Sequence, residues 1–173
     1  FYMALIKPNY YFHNGFVFQN EEPIQQDNGI ITVNYLLSTK CQLNCVYCIA
    51  QDIIKNYNSP SIKEIDKSID TILELDPLVT VLSGGEPLLS PNLKYIIERL
   101  YGKTNIILDT NGILLQGEIL DFLLEHKVNL RISLDFPSEV NDTTRKGKRS
   151  PKTEEVLKSL DCLKKKDYAY VVS

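Results

Sequence analysis

What the chain has little of narrows it first. No apolar run approaches the roughly 20 residues that would cross a bilayer, so no membrane role is expected. Positive charge is not in excess: 19 Lys and Arg stand against 22 Asp and Glu, for a net −3. That balance gives no electrostatic case for nucleic acid. The run Lys164-Lys165-Lys166 closes a predicted helix, where cations suit the negative end of the dipole. Histidine is scarce, and His13 and His126 lie far apart with no partner pattern for catalysis. The first residues show no charged stretch leading into an apolar stretch and a small-residue cleavage site, so no secretory signal is expected. Cysteine is scarce as well. Three of the four form one triplet and Cys162 stands alone in a predicted helix, which is no disulfide framework. A reducing, cytoplasmic setting is the expectation.

What remains is an ordinary soluble composition, 43% hydrophobic and 24% charged over 173 residues. That is enough chain to bury one core. It opens on Phe1 and closes on Tyr168-Ala-Tyr-Val-Val-Ser173, which reads as a strand just begun. A fragment, or the ordered part of something longer, is expected. The triplet itself is Cys41-Gln-Leu-Asn-Cys45-Val-Tyr-Cys48, spaced C-x3-C-x2-C. Three thiolates from one loop are one short of a closed structural zinc site. They are equally one short of the four that usually hold an iron–sulfur cluster. In a cluster, the iron without a protein ligand would be open to a small molecule.

The rest of the chain has a rhythm. Residues 1–30 form an extension rich in Phe and Tyr, with His13-Asn14-Gly15 as a turn between two short strands. It reads either as an aromatic binding surface or as a hairpin packed on the main domain, with Glu21–Gly29 as a polar linker. Residues 31–173 form the main domain. Ile31–Leu37 reads as a buried strand that delivers the cysteine loop. Ser61-x-x-Glu64 is a capping box opening a helix with Ile62, Ile65, Ile69, Ile72 and Leu73 on one face; Asp76-Pro77 ends it. Leu78–Leu82 is a strand running into Ser83-Gly84-Gly85-Glu86-Pro87. Ser90 and Pro91 start a second helix with Ile96, Ile97 and Leu100 inward. Asn105–Asp109 is a strand, Thr110-Asn111-Gly112 a turn, and Ile119–Leu124 a helix. Val128–Asp135 is a strand. Ser150-Pro151 opens a helix with Val156, Leu157, Leu160 and Leu163 on one side, and Tyr168–Val172 begins a fifth strand.

Strand and helix in alternation mean parallel strands joined by right-handed crossovers. Ligands of such sheets gather at the C-terminal strand ends. The cysteine triplet, Gly84-Gly85-Glu86, Thr110-Asn111-Gly112 and the Ser133/Asp135 pair all stand there. Glycines let a backbone approach a ligand closely, and Glu86 can accept from an ammonium group. Ser133 and Asp135, two apart on a strand, share a face. An open sheet and a barrel are not distinguished by periodicity.

The triplet with Tyr47 directly before its third cysteine, Gly-Gly-Glu-Pro after the next strand, Thr-Asn-Gly after the third and Ile-Ser-Leu-Asp on the fourth resemble the radical S-adenosylmethionine enzymes. The resemblance covers residues 31–173. It implies an α/β fold, a partial (β/α)6 TIM-like barrel of which about four and a half units are present, with the N-terminal hairpin as an extension. It implies a 4Fe–4S cluster on Cys41, Cys45 and Cys48, with S-adenosylmethionine bound through its amino and carboxylate groups to the fourth iron. Reductive cleavage would then give methionine and a 5′-deoxyadenosyl radical that takes hydrogen from a substrate. Glu86, with Gly84 and Gly85, is implied at the methionine amino group and Tyr47 near the adenine. Ser133 and Asp135 would face a ribose or carboxylate, and Asn111 would reach the site from its turn. Asn141-Asp-Thr-Thr-Arg145 resembles a stretch of peptide-modifying (SPASM-type) members, which implies Arg145 at the methionine carboxylate, a peptide or protein substrate, and a reductant such as flavodoxin or ferredoxin. A glycyl-radical activating enzyme, or a relative that binds the cofactors without turnover, are the alternatives.

Overall fold

The box at Ser61 folds as the sequence dictates. Its backbone N–H donates to Glu64 Oε2 at 2.7 Å while the Glu64 N–H donates to Ser61 Oγ at 3.4 Å, which satisfies two of the helix's unpaired donors. The computed structural model describes residues 10–13, 16–19 and 22–23 as backbone, and 30–48, 60–147 and 152–173 with side chains. Strands β1 (Tyr10–His13) and β2 (Phe16–Gln19) pair antiparallel, and β3 (Glu22–Pro23) joins them within the stretch expected to be linker. The side chains of the aromatic extension lie outside the described residues.

The main sheet is built from β4 (Thr32–Ser38), β5 (Val79–Gly84), β6 (Asn105–Thr110), β7 (Asn129–Ile132) and β8 (Tyr170–Val172), all parallel, in the order of the chain. Helices α1 (Ile62–Leu75), α2 (Leu93–Leu100), α3 (Glu118–Glu125), α4 (Ser138–Thr144) and α5 (Thr153–Lys165) lie in the connections. Sequential order has a consequence. A doubly wound sheet reverses direction midway and is covered on both faces; crossovers of one hand with no reversal put every helix on the same face. The core reports this. Leu37, Leu82, Ile106, Leu108, Leu130 and Ile132 from the strands join Ile65, Ile69, Ile97, Leu100, Leu120, Leu123 and Leu163 from the helices in one cluster. The residues between them on each strand point the other way. The arrangement is a section of barrel, with helices outside and a concave inner face.

Five details differ from the sequence reading. β4 is not buried throughout: its residues alternate in exposure, and Leu36 is 53% exposed. Among the described residues it is an edge strand with β5 as its neighbour, so one face meets helices and the other does not. The second helix starts at Leu93 rather than Ser90, because a 3₁₀ turn at Pro87–Leu89 comes first and the Ser90 N–H closes it on the Pro87 carbonyl. Strand β7 ends at Ile132, yet the Ser133 N–H still donates to the Thr110 carbonyl at 2.9 Å and the Leu134 N–H to Ser173 at 3.0 Å. Helix α4 was not anticipated. Its only apolar residue is Val140, so no helical stripe announces it. At the stripe edges, Ile62 and Leu157 are exposed rather than inward.

Candidate active site

The glycines come first, because they set the distance between β5 and the cysteine loop. Gly84 has φ +134°, and a Cβ there would lie 2.2 Å from the Ser38 carbonyl oxygen. A Cβ on Gly85 would lie 2.4 Å from that of Lys40. Neither collision can be relieved by moving a side chain, since backbone stands opposite. The closeness is used: the Gly85 N–H donates to the Ser38 carbonyl at 2.6 Å and the Glu86 N–H to the Lys40 carbonyl at 2.8 Å. The space a Cβ would take at each glycine is filled by the chain that leads into Cys41.

Glu86 is likewise held by the chain itself. Its carboxylate is fully buried. Oε1 accepts from Thr110 Oγ1 at 2.7 Å and the Leu88 N–H at 3.0 Å, and Oε2 accepts from the Asn111 N–H at 2.8 Å. Burial raises its pKa above the ordinary carboxylate value, and the donors of Asn111, Thr110 and Leu88 offset only part of that. Three protein donors reach the group that sequence reasoning assigned to an ammonium, two on Oε1 and one on Oε2. Its visible work is to tie the end of β5 to the end of β6.

Asn111 carries the tie onward. Its Oδ1 accepts from the Ile113 N–H and from Gln42 Nε2, at 3.1 and 3.2 Å, while its Nδ2 points at Cys41 Sγ from 3.8 Å. The Leu43 N–H also donates to that sulfur, at 3.4 Å. Hydrogen bonds of this kind stabilise a metal-bound sulfur and tune its potential. Asn111 thus belongs to the site, in contact with the first cysteine.

A second group closes the loop from the other side. Tyr47 Oη donates to Asp135 Oδ2 at 2.7 Å, and Thr144 Oγ1 donates to the same oxygen. Arg145 Nε stands 3.2 Å from Asp135 Oδ1, off the line a hydrogen bond needs, and its guanidinium lies 5.4 Å from the centre of the Tyr47 ring. Burial and the bond to Asp135 push the Tyr47 hydroxyl up to about 12. At Asp135, burial acts upward, but the bonds from Thr144 and Tyr47 and the charge of Arg145 outweigh it, so its pKa falls below the usual value. The main chain follows: the Asn44 N–H donates to the Lys146 carbonyl at 2.7 Å and the Val46 N–H to that of Thr144 at 2.9 Å. Tyr47, Asp135 and Arg145, expected separately around a cofactor, stand in one group: Tyr47 is hydrogen-bonded to Asp135, and Arg145 is ion-paired with it. Thr144 and Gln42 were missed and Thr110 was read only as part of a rim turn, since the sequence of a threonine or glutamine carries no signal of its partner.

The three cysteines are thiols rather than disulfides, and all are half-buried. Burial raises the pKa of Cys41 and Cys45. Neighbouring charges act as well: Glu86, Cys45 and Cys48 raise Cys41, while at Cys45 Arg145 lowers the pKa and Cys48 and Asp135 raise it. Among the described residues, no three His, Cys, Asp or Glu side chains are set closely enough for a single ion, whose thiolates would each sit about 2.3 Å from the metal. Gln42 Oε1 and Arg145 Nε are buried without hydrogen-bond partners beside the loop, so polar capacity is left over at the place where a bound group would use it. Three thiols, donors to sulfur and spare polar atoms fit an iron–sulfur cluster with a polar ligand beside it. Ser133 stands one residue past β7, half-buried, at the same rim. Cys162 sits in α5 against the core.

A half-barrel of parallel strands, with three thiols at the C-terminal rim of its first strand, defines a class of cofactor-dependent enzyme folds. The sequence profile of the radical SAM superfamily matches residues 35–173, and the chain belongs to that superfamily. Its cofactors are accordingly a 4Fe–4S cluster and S-adenosylmethionine. An uncharacterised protein of Methanocaldococcus jannaschii is 34% identical over 139 residues, which is 74% of this chain and 46% of that protein. A GTP 3′,8-cyclase of Desulforamulus reducens is 27% identical over 78% of this chain and 45% of its own length. The antilisterial bacteriocin subtilosin biosynthesis protein AlbA of Bacillus subtilis is 30% identical over 66% of this chain and 26% of its own. The chain spans less than half the length of each of these relatives. Among solved structures, anSMEcpe with bound AdoMet superposes with a TM-score of 0.72 at 21% identity, over 84% of this chain and 42% of that one. Streptococcus suis SuiB bound to precursor peptide SuiA gives 0.71 at 16% identity, over 83% and 32%. These two likenesses establish the partial barrel. No helix among the described residues is long and apolar enough to cross a membrane.

Proposed function

We propose that residues 31–173 are the core domain of a radical SAM enzyme that modifies a peptide or protein, with residues 1–30 as an N-terminal extension. Cys41, Cys45 and Cys48 hold the cluster. When bound, cluster and S-adenosylmethionine supply one-electron cleavage of a sulfonium C–S bond and, with it, hydrogen abstraction from the substrate. The residues of this chain orient that chemistry. Gly84, Gly85 and Glu86 hold the rim of β5 against the cysteine loop, and Glu86 keeps one acceptor site on Oε2 for the methionine amino group. Asn111 donates to the Cys41 sulfur. Tyr47 borders the adenine, Ser133 and Asp135 face the ribose or carboxylate, and Arg145 turns its unbonded N–H groups to the methionine carboxylate, a planar acceptor suited to a guanidinium fork. A flavodoxin or ferredoxin supplies the electron.

The observation that carries the cofactor assignment is that the loop of Cys41, Cys45 and Cys48 lies at the rim where Asn111 donates to Cys41 Sγ and ties to Glu86. The peptide substrate is supported by likeness to AlbA and, in fold, to SuiB. A nucleotide substrate is the second reading, supported by likeness to a GTP 3′,8-cyclase.

The test is anaerobic. The chain is loaded with iron and sulfide, its iron is counted, and dithionite and S-adenosylmethionine are added while 5′-deoxyadenosine is followed. About four irons per chain and 5′-deoxyadenosine formation are expected, both abolished when Cys41, Cys45 and Cys48 are replaced by alanine. Zinc bound in place of iron, with no cluster formed, overturns the assignment. Added precursor peptide or GTP, whichever raises turnover, decides between the substrate classes.

A further inference from the structure

The inner face of the sheet, opposite the helices, carries a charged pair that none of the rim chemistry uses. Asp109 and Arg131 are direct neighbours in the register of β6 and β7. Each lies between core residues that point to the helices: Leu108 and Thr110 flank Asp109, and Leu130 and Ile132 flank Arg131. The pair therefore projects into the concavity. Leu36 and Ser83, a cross-strand pair, and Val171, the neighbour of Arg131 on β8, project to the same side. Asp109 immediately precedes Thr110 and Asn111, which bond to Glu86 and Cys41. One strand residue is about 3.3 Å. The guanidinium is thus set just below the cysteine rim, on the face from which a substrate would be presented to it.

Its geometry is specific. Arg131 gives Nε and Nη2 to the two oxygens of Asp109. A guanidinium has five N–H groups in a planar fork, so the two on Nη1 and one on Nη2 remain, and they make no hydrogen bond among the described residues. Two of the remaining donors, one from each Nη, form a second parallel edge. The side chain is 43% exposed and Asp109 27%. A guanidinium anchored by one edge and open at the other is pre-organised for a second oxyanion.

We propose that Arg131, held in position by Asp109, binds an oxyanion of the substrate on the inner face of the half-barrel. A carboxylate of a peptide and a phosphate of a nucleotide share the required chemistry. The proposal rests on the catalytic reading only in calling the ligand a substrate, and binding is measured without turnover. In the full chain, the Arg131 Nε–H signal is followed by NMR during titration with N-acetyl-Gly-Glu-Gly-amide and, separately, with GTP. The controls are the Gln counterpart of the peptide and guanosine. Saturable shifts are expected with at least one of the oxyanion probes, its neutral control binding at least tenfold more weakly. The probe that binds identifies the source. Arg131→Lys keeps the charge and removes the fork, and should weaken binding at least tenfold while the melting temperature holds. Equal binding of charged and neutral probes, no binding of either oxyanion, or full binding by a folded Arg131→Lys chain overturns the proposal. If that variant fails to fold, the charged-against-neutral comparison on the native chain decides alone. Iron content and 5′-deoxyadenosine are read separately, so failure of the radical chemistry is distinguishable from failure of this subsite.

Discussion

At the residue scale the informative group is Glu86, a carboxylate with no exposure and three donors. Two effects oppose each other there. Burial disfavours the charge, and the donors favour it; burial wins, and the pKa is raised. An acid whose folded pKa exceeds its unfolded one costs nothing below the unfolded value. Its cost grows as pH rises through the folded value and is complete above it. Glu86→Gln removes that dependence but sets an amide NH2 against fixed N–H donors, which leaves buried groups unpaired at about 1–3 kcal/mol. In urea unfolding at a series of pH values, the variant should be the less stable chain at low pH, with the gap narrowing as pH rises. A gap that widens instead would mean that the donors dominate. The type and place of this residue were legible in Gly-Gly-Glu-Pro. Its partners were not, because Thr110 at the end of β6 and Asn111 just past it lie 24 and 25 residues away.

At the element scale the best-read feature is α1. Its cap and stripe are local, and local signals survive folding: Ser61 and Glu64 pair as expected, and Ile65, Ile69 and Ile72 are buried. Ser61→Ala should cost about 1 kcal/mol, the usual worth of such a cap, measured by thermal unfolding. The cap is also pH-dependent. Bonds from the Ser61 side chain and backbone hold Glu64 below its ordinary pKa. Its contribution is present above the unfolded value and is lost as pH falls through the lowered folded one, so the wild-type advantage over Ser61→Ala should shrink in acid. Elements whose signals were not local read less well. Helix α4 has no apolar stripe, and its place is set by what it reaches: Thr144 to Asp135, and Asn141 Oδ1 to the Asp135 N–H at 3.0 Å. β4 looked buried because its apolar content is high, but its exposure is decided by having helices on one side only.

At the scale of the whole molecule, the sheet is graded. β6 is flanked by strands on both sides, and Ile106 and Leu108 have no exposure. β4 and β8 are the outer strands among those described, with Leu36, Val171 and Val172 each more than 40% exposed. Backbone hydrogen bonds open most easily where burial is least. Hydrogen exchange followed by mass spectrometry should find β6 the slowest, with β4 and β8 exchanging at least about tenfold faster. Uniform protection across the sheet would contradict the grading.

The sequence by itself determined the alternation of strand and helix, the parallel sheet, the rim where ligands gather and the three thiols that stand on it. These rest on periodicity, caps and spacing, which act over a few residues. Only the tertiary structure decided what the polar residues do to each other. Gly84 and Gly85 make room for the backbone that leads into Cys41, Glu86 ties β5 to the end of β6, and Tyr47, Asp135 and Arg145 stand in one hydrogen-bonded and ion-paired group beside the loop. It also paired Asp109 with Arg131 across neighbouring strands. The physical reason is distance along the chain: a hydrogen bond between residues 88 apart, as from Tyr47 to Asp135, is fixed by the order and register of the strands that carry them, which no local pattern encodes.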